Sequence, residues 1–145
     1  MGSLTLPVGG LVYLDTSLLI YTVEKHPDYL PLLKPFWAAV SAGQFELVTS
    51  ELCLLETMVG PAKQNDKTLA ARYEQVLSSP DIQLLPITEI VLRRAITVRA
   101  QTNLKTPDAI HAATALVAGC SEFITNDGAF RRVTGLKVTV LHEIL

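Results

Sequence analysis

Four acidic residues stand where this sequence could do chemistry. Asp15 directly follows the apolar run Leu11-Val12-Tyr13-Leu14, and Asp127 comes just after Glu122–Thr125. Asp108 opens an alanine-rich segment, and Glu56 lies just beyond Phe45-Glu46-Leu47-Val48. If those runs are strands of a parallel sheet, Asp15, Asp108 and Asp127 fall at strand carboxyl ends or helix starts. Open parallel sheets bind ligands there. Each acid also has an ordinary alternative: Asp15 and Asp127 as caps or turn residues, Asp108 as a first-turn acid favoured by the helix dipole, and Glu56 as a surface side chain. Should they converge, two unit charges about 4 Å apart repel by roughly 4 kcal/mol at an effective dielectric near 20. Protonation or a cation relieves that repulsion. An oxygen-only set without His or Cys ligands suits a hard ion, Mg²⁺ or Mn²⁺, better than zinc. Such an ion activates water and stabilises charge developing on a phosphate.

The elements that must position these acids follow from local signals. Leu11–Leu14 is predicted as a buried strand, and Asp15-Thr16-Ser17 offers caps for a helix from Leu18 to Lys25. His26-Pro27-Asp28 interrupts, and a second helix is predicted from Leu30 to Ala42, adjusted around Pro35 and stopped by Gly43. Phe45–Val48 is a strand. Ser50 caps a short helix that ends before Gly60-Pro61, with Leu52, Leu55 and Met58 turning the Glu56 helix toward the core. A polar helix is predicted over 65–77, a strand over 82–87, and a helix capped by Thr88 through Thr102. Thr106 is placed as an N-cap, Pro107 at the first helical position, and the helix runs through Ala118 to Gly119. Glu122–Thr125 is a strand, 126–128 a turn, 129–133 a short helix and 138–141 a last strand. Short strands alternating with helices imply a three-layer α/β/α sandwich around a mainly parallel sheet.

The totals agree with one domain spanning 1–145. Residues 1–10 are a lead-in, and Gly2-Ser3 within it resembles a pair left by an expression vector. The chain has 145 residues, 49% hydrophobic and 18% charged, a globular composition with enough apolar residues to supply a partner interface. No apolar run approaches the roughly 20 residues that cross a bilayer. The N-terminus lacks the basic start of a secretory signal. Cys53 and Cys120 lie in apolar stretches without metal-type or redox-type spacing, so they read as buried thiols of a cytoplasmic protein. Net charge is −2, yet residues 1–89 hold 5 Lys/Arg against 10 Asp/Glu while residues 90–145 hold 7 against 4. A solvated, locally basic surface explains that asymmetry as well as a nucleic-acid patch does.

Val12-Tyr13-Leu14-Asp15-Thr16-Ser17-Leu18-Leu19-Ile20 resembles the opening strand and metal loop of PIN domains. Thr49–Glu56 is similar to their second acidic element, and Phe123-Ile124-Thr125-Asn126-Asp127 to their final acidic turn. Leu104-Lys105-Thr106-Pro107-Asp108-Ala109-Ile110-His111-Ala112-Ala113 is the most specific likeness. The resemblance implies an α/β/α fold and Mg²⁺- or Mn²⁺-dependent RNA cleavage. Its acidic site, catalytic and metal-binding, would be Asp15, Glu56, Asp108 and Asp127, with Thr16, Ser17, Thr125 and Asn126 as hydrogen-bonding support. It also implies kinship with VapC-type toxins, which dimerise and are held by an antitoxin protein. Alternatives within the resemblance are a housekeeping RNA-processing nuclease and a non-catalytic PIN-like binding module.

An aspartyl-phosphate phosphatase would also place an acid after its first strand. That chemistry wants a second acid two residues on, where this chain has Ser17. Arg131, Arg132 and Lys105 are candidates for holding substrate phosphates. His111 lies one turn after Asp108 and reads as a packed side chain, or one that supports a ligand, rather than as a ligand itself. Tyr13, Phe36, Trp37 and Phe45 read as core or dimer contacts.

Overall fold

Period-two alternation on short β-rich runs makes strands whose two faces must both be covered, and here helices cover both. The computed structural model describes residues 2–144. Its strands are β1 (Leu11–Leu14), β2 (Glu46–Ser50), β3 (Ile82–Leu85), β4 (Glu122–Thr125) and β5 (Val138–Val140). Its helices are α1 (Thr16–Val23), α2 (Leu30–Ser41), α3 (Leu52–Gln64), α4 (Lys67–Leu77), α5 (Glu89–Thr102) and α6 (Thr106–Ala118). All pairings are parallel, in the order β3-β2-β1-β4-β5. The three-layer α/β/α expectation holds.

Alternation sorts the core into two halves. Val12, Leu14, Leu47 and Ile124 point to one face and pack with Leu18, Leu33, Phe36 and Leu77 from α1, α2 and α4. Tyr13, Val48 and Phe123 point to the other and meet Val91, Ala95 and Val98 of α5 and the alanines of α6. Small residues let α6 lie close to the sheet: Ala109, Ala112, Ala113 and Ala115 are each fully buried.

The chain builds outward from β1 to β3, then crosses back through α5 and α6 to place β4 on the other side of β1. The strand order therefore reverses between β1 and β4, which opens a crevice at their carboxyl ends.

Most helix boundaries follow their caps. Asp66 accepts from the Leu69 amide and Thr88 from the Val91 amide. Gly119 ends α6 in the left-handed region at φ 75°. Several boundaries differ from expectation: α1 runs Thr16–Val23 rather than from Leu18 to Lys25, and β3 ends at Leu85 rather than at 87. Helix α3 does not stop before Gly60-Pro61 but runs to Gln64. Pro61 is buried, so packing of its ring offsets the hydrogen bond it cannot donate. The N-cap of α6 is Lys105, one residue before Thr106, with Pro107 within the first turn. The segment after Asp127 is a 3-10 turn, Gly128–Arg132.

The inward face of α3 also differs. Cys53, Thr57 and Pro61 face the core, whereas Leu55 is 63% exposed and Leu54 and Val59 are exposed as well. Cys53 is buried, Cys120 only partly, and both are free thiols. Among the described residues no helix is long and apolar enough to cross a membrane.

Candidate functional site

The crevice between β1 and β4 is where the inner acids lie. Leu14 ends β1, and the Asp15 amide still donates to Ile124 of β4 at 3.0 Å. The Asp15 side chain then turns to cap α1, with Oδ1 accepting from the Thr16 amide at 2.8 Å. Its other oxygen, Oδ2, accepts from Thr125 Oγ1 at 2.6 Å. Thr125 is the last residue of β4 and is fully buried. One hydroxyl thus bridges the two strands at the point of reversal.

Glu56 comes in on α3 from the other side of α1. Its Oε1 accepts from Thr16 Oγ1 at 2.8 Å and meets His111 Nε2 at 2.5 Å. His111 in turn has Nδ1 2.6 Å from the Tyr13 hydroxyl, which accepts from the Ser50 amide at 3.1 Å. Thr16 therefore serves Asp15 through its backbone and Glu56 through its side chain.

The outer acids are held differently. Asp108 is half-buried in the first turn of α6, where the helix dipole favours a carboxylate. Asp127 is exposed, and its Oδ1 caps the following 3-10 turn through the Ala129 amide at 2.9 Å. The bland role of a turn cap is thus real for Asp127, as the cap role is for Asp15.

Electrostatics ties the four acids together. Burial pushes the Asp108 carboxyl above its ordinary value, and the charges of Asp15, Asp127 and Glu56 push it further. Asp15 is also raised, mainly by burial, against the relief given by the hydrogen bonds of Thr125 and the Thr16 amide. Burial lifts Glu56 too, but the His111 and Thr16 hydrogen bonds outweigh it, and the net shift is downward. One carboxylate is thus stabilised in its charged form while two are penalised for it.

Among the described residues, no three His, Cys, Asp or Glu side chains draw close enough to form a closed metal cage. The donor set nevertheless fits a hydrated hard cation, since Mg²⁺ keeps several waters and takes only one or two carboxylates directly. Ser17 adds an independent sign. Its Oγ is buried without a hydrogen-bond partner among the described residues, a cost of about 1–3 kcal/mol that a water in the crevice would relieve.

The remaining sequence candidates lie elsewhere. Asn126 does not support the acids: its Nδ2 donates to the Tyr21 hydroxyl at 3.0 Å, and its Oδ1 accepts from the His142 amide at 2.7 Å. It pins the C-terminal turn to α1. Arg131 makes a two-bond pair with Glu143 at 2.5 and 2.7 Å, and Arg132 reaches the Thr102 carbonyl at 3.5 Å. Lys105 is exposed beside the start of α6, with no side-chain partner among the described residues. Much of the C-terminal basic excess is consumed internally, since Arg93 pairs with Glu89 and Lys137 with Glu122. Sequence reasoning allowed His111 a supporting role but missed that the acid it supports is Glu56 and that Tyr13 stands behind it. The only hint was spacing: His111 lies three residues after Asp108, and Tyr13 two before Asp15.

Comparison with known proteins gives the fold a context. The structure resembles a chain of VapBC2 from Rickettsia felis bound to a promoter DNA fragment, with TM-score 0.74 and 17% identity, covering 90% of this chain and 98% of that one. A toxin–antitoxin complex from Klebsiella pneumoniae is 26% identical, with TM-score 0.64 and coverage of 89% and 96%. VapC20 of Mycobacterium tuberculosis, a sarcin–ricin loop cleaving toxin, has TM-score 0.69 and 18% identity over 83% of this chain and 92% of that one. No curated protein matches the sequence at a significant level. The profile of the PIN domain matches residues 12–136, a span that contains all four acids. With that match over most of its length, the chain belongs to the PIN domain family.

Proposed function

We propose that this chain is a VapC-type toxin: a Mg²⁺- or Mn²⁺-dependent endoribonuclease that hydrolyses RNA phosphodiester bonds. The observation that carries the reading is the geometry of the crevice, where Thr125 of β4 holds Asp15, Thr16 joins Asp15 to Glu56, Asp108 lies in the first turn of α6 and Asp127 lies just beyond β4. Acids that repel one another are retained where a cation offsets the repulsion. The structural neighbours support the toxin reading, since several are toxin–antitoxin complexes and one is a sarcin–ricin loop cleaving toxin.

Asp15, Glu56, Asp108 and Asp127 would hold the ion, which when bound supplies an activated water and neutralises charge on the scissile phosphate. Thr125 and the Thr16 amide hold both oxygens of Asp15 in place, so that side chain needs no reorientation. Thr16 and His111 do the same for one oxygen of Glu56. Asp108 and Asp127, less constrained, adapt to the ion and to the RNA backbone. Lys105 sits beside Asp108 in sequence and is the candidate cation for a substrate phosphate.

An antitoxin protein is the partner this reading calls for, and the exposed apolar side chains Leu54, Leu55 and Val59 of α3 and Ile90 and Ile96 of α5 are available for an antitoxin or a second copy. The test is RNA cleavage with Mg²⁺ or Mn²⁺, comparing the wild type with Asp15→Asn and Asp108→Asn. Loss in both variants and in EDTA is expected; activity that survives EDTA, or both substitutions, rejects the proposal.

A further inference from the structure

The side chains at the floor of the site make a directed chain of hydrogen bonds that the proposed chemistry does not by itself require. It starts at the Ser50 amide of β2, which donates to the Tyr13 phenol oxygen at 3.1 Å. With its oxygen accepting there, the phenol has one hydrogen to give, and His111 Nδ1 lies 2.6 Å away. Nδ1 is then the acceptor nitrogen, which leaves the ring hydrogen on Nε2. Nε2 faces Glu56 Oε1 at 2.5 Å. In the other neutral tautomer, two lone pairs would meet at that distance. The direction of the chain is thus set at the Glu56 end, where the short contact needs a hydrogen on Nε2, and the Ser50 amide fills one of the two acceptor sites of the phenol oxygen.

We propose that Tyr13 and His111 are positioning residues that divide the labour of the Glu56 carboxylate. Oε1 is bound to the protein by two donors, His111 Nε2 and Thr16 Oγ1, while Oε2 accepts no hydrogen bond among the described residues and is reserved for the divalent ion. This rests on the metal-dependent reading given above and specifies which oxygen of which acid serves it.

Burial and packing make the device rigid. Tyr13 is 0% and His111 1% exposed, so water does not compete for either hydrogen bond. The Tyr13 ring stacks on Phe123 with centroids 4.9 Å apart and planes 3° from parallel, and Phe123 packs on Phe130. Five elements contribute: β2 through Ser50, β1 through Tyr13, α6 through His111, α1 through Thr16 and α3 through Glu56. A glutamate on a half-buried helix otherwise loses rotamer freedom only on binding its ion. Here that loss is incurred on folding. Partners behind metal-binding carboxylates and histidines typically change metal affinity by about 10–100-fold.

The experiment is a calorimetric Mn²⁺ titration of the full chain, alongside thermal melting and RNA cleavage, for wild type, Tyr13→Phe, His111→Gln and His111→Leu. His111→Leu removes the donor and should weaken Mn²⁺ binding by about 10–100-fold. His111→Gln keeps an N–H able to reach Oε1 and should remain within several-fold of wild type. Tyr13→Phe leaves the donor but releases the tautomer, and should fall between them. Wild-type Mn²⁺ affinity in both Tyr13→Phe and His111→Leu, even with lowered melting temperatures, would show a merely structural role and overturn the proposal. So would a folded His111→Gln no better than His111→Leu. If His111→Leu does not fold, Tyr13→Phe decides: weaker Mn²⁺ binding supports the proposal, and unchanged binding overturns it. A wild type that binds no Mn²⁺ rejects the metal reading itself and this proposal with it.

Discussion

The inner and outer acids of the crevice are held in opposite ways. Asp15 and Glu56 are gripped by hydroxyls, an amide and an imidazole that come from other parts of the fold. Asp108 takes no side-chain hydrogen bond among the described residues, and Asp127 is engaged only with its own turn. The inner pair is arranged before any ligand arrives. The outer pair is held only locally, Asp108 by the first turn of α6 and Asp127 by the turn it caps. Fixed acids give a site its geometry at the cost of burying charge, while loosely held ones let a hydrated ion and a long substrate adjust.

The contrast predicts the largest effect for Asp15. Asp15→Asn should reduce RNA cleavage by about 100-fold or more, beyond what loss of a supporting partner does, while Asp127→Asn should cost on the order of 10-fold. Single-turnover cleavage at saturating Mn²⁺ measures both, and equal losses would erase the distinction. Next comes the hydroxyl behind Asp15. Thr125→Val removes the donor to Oδ2 and should weaken Mn²⁺ binding by about 10-fold, with the protein still folded.

Stability should show the same division with the sign reversed. The raised carboxyls of Asp15 and Asp108 bind protons more tightly in the folded than in the unfolded chain. Their unfavourable contribution is therefore absent below the ordinary carboxylate range and grows as pH rises through their elevated values. Glu56, whose carboxyl is lowered, acts in the opposite sense and loses its contribution as pH falls below its usual value. In EDTA, melting temperature should decline from mildly acid pH toward neutrality, and Mn²⁺ should remove that decline. Asp108→Asn should flatten it and raise the metal-free melting point at neutral pH. Asp127→Asn should flatten it less, by removing one of the charges that raise Asp108, and a metal-free protein that gains stability across this window would refute the account. The smallest effect lies away from the acids. Thr88→Ala removes the cap of α5 and should cost about 1 kcal/mol in denaturant unfolding, with cleavage unchanged.

The sequence carried the parts of this molecule that depend on neighbours in the chain. Leu11–Leu14 and Glu122–Thr125 declare themselves as strands by their composition, and Asp15 and Asp108 sit at the element ends where the fold places them. What it did not carry depends on contacts between distant residues. Gly60-Pro61 looks like a helix end until the burial of Pro61 on the folded core is known. The face of α3 was misjudged because Leu54, Leu55 and Val59 are apolar yet exposed, and local periodicity does not distinguish a core from an unpartnered surface. Asn126 stood in an acidic motif but bonds to Tyr21, and Arg131 followed the last acid but pairs with Glu143. Tyr13 and His111 are 98 positions apart, and no spacing rule joins them.

The reversal of strand order has a consequence for the timing of synthesis. Of the two strands beside β1, one is the next to be made, β2, but the other is the fourth, so Asp15 meets Thr125 only after 110 further residues have been added. A partly translated polypeptide that ends before β4 lacks the hydroxyl that steadies Asp15 and lacks Asp127 altogether. The order of the sheet therefore acts as a delay, in which the acidic crevice cannot assemble until β4 has been made.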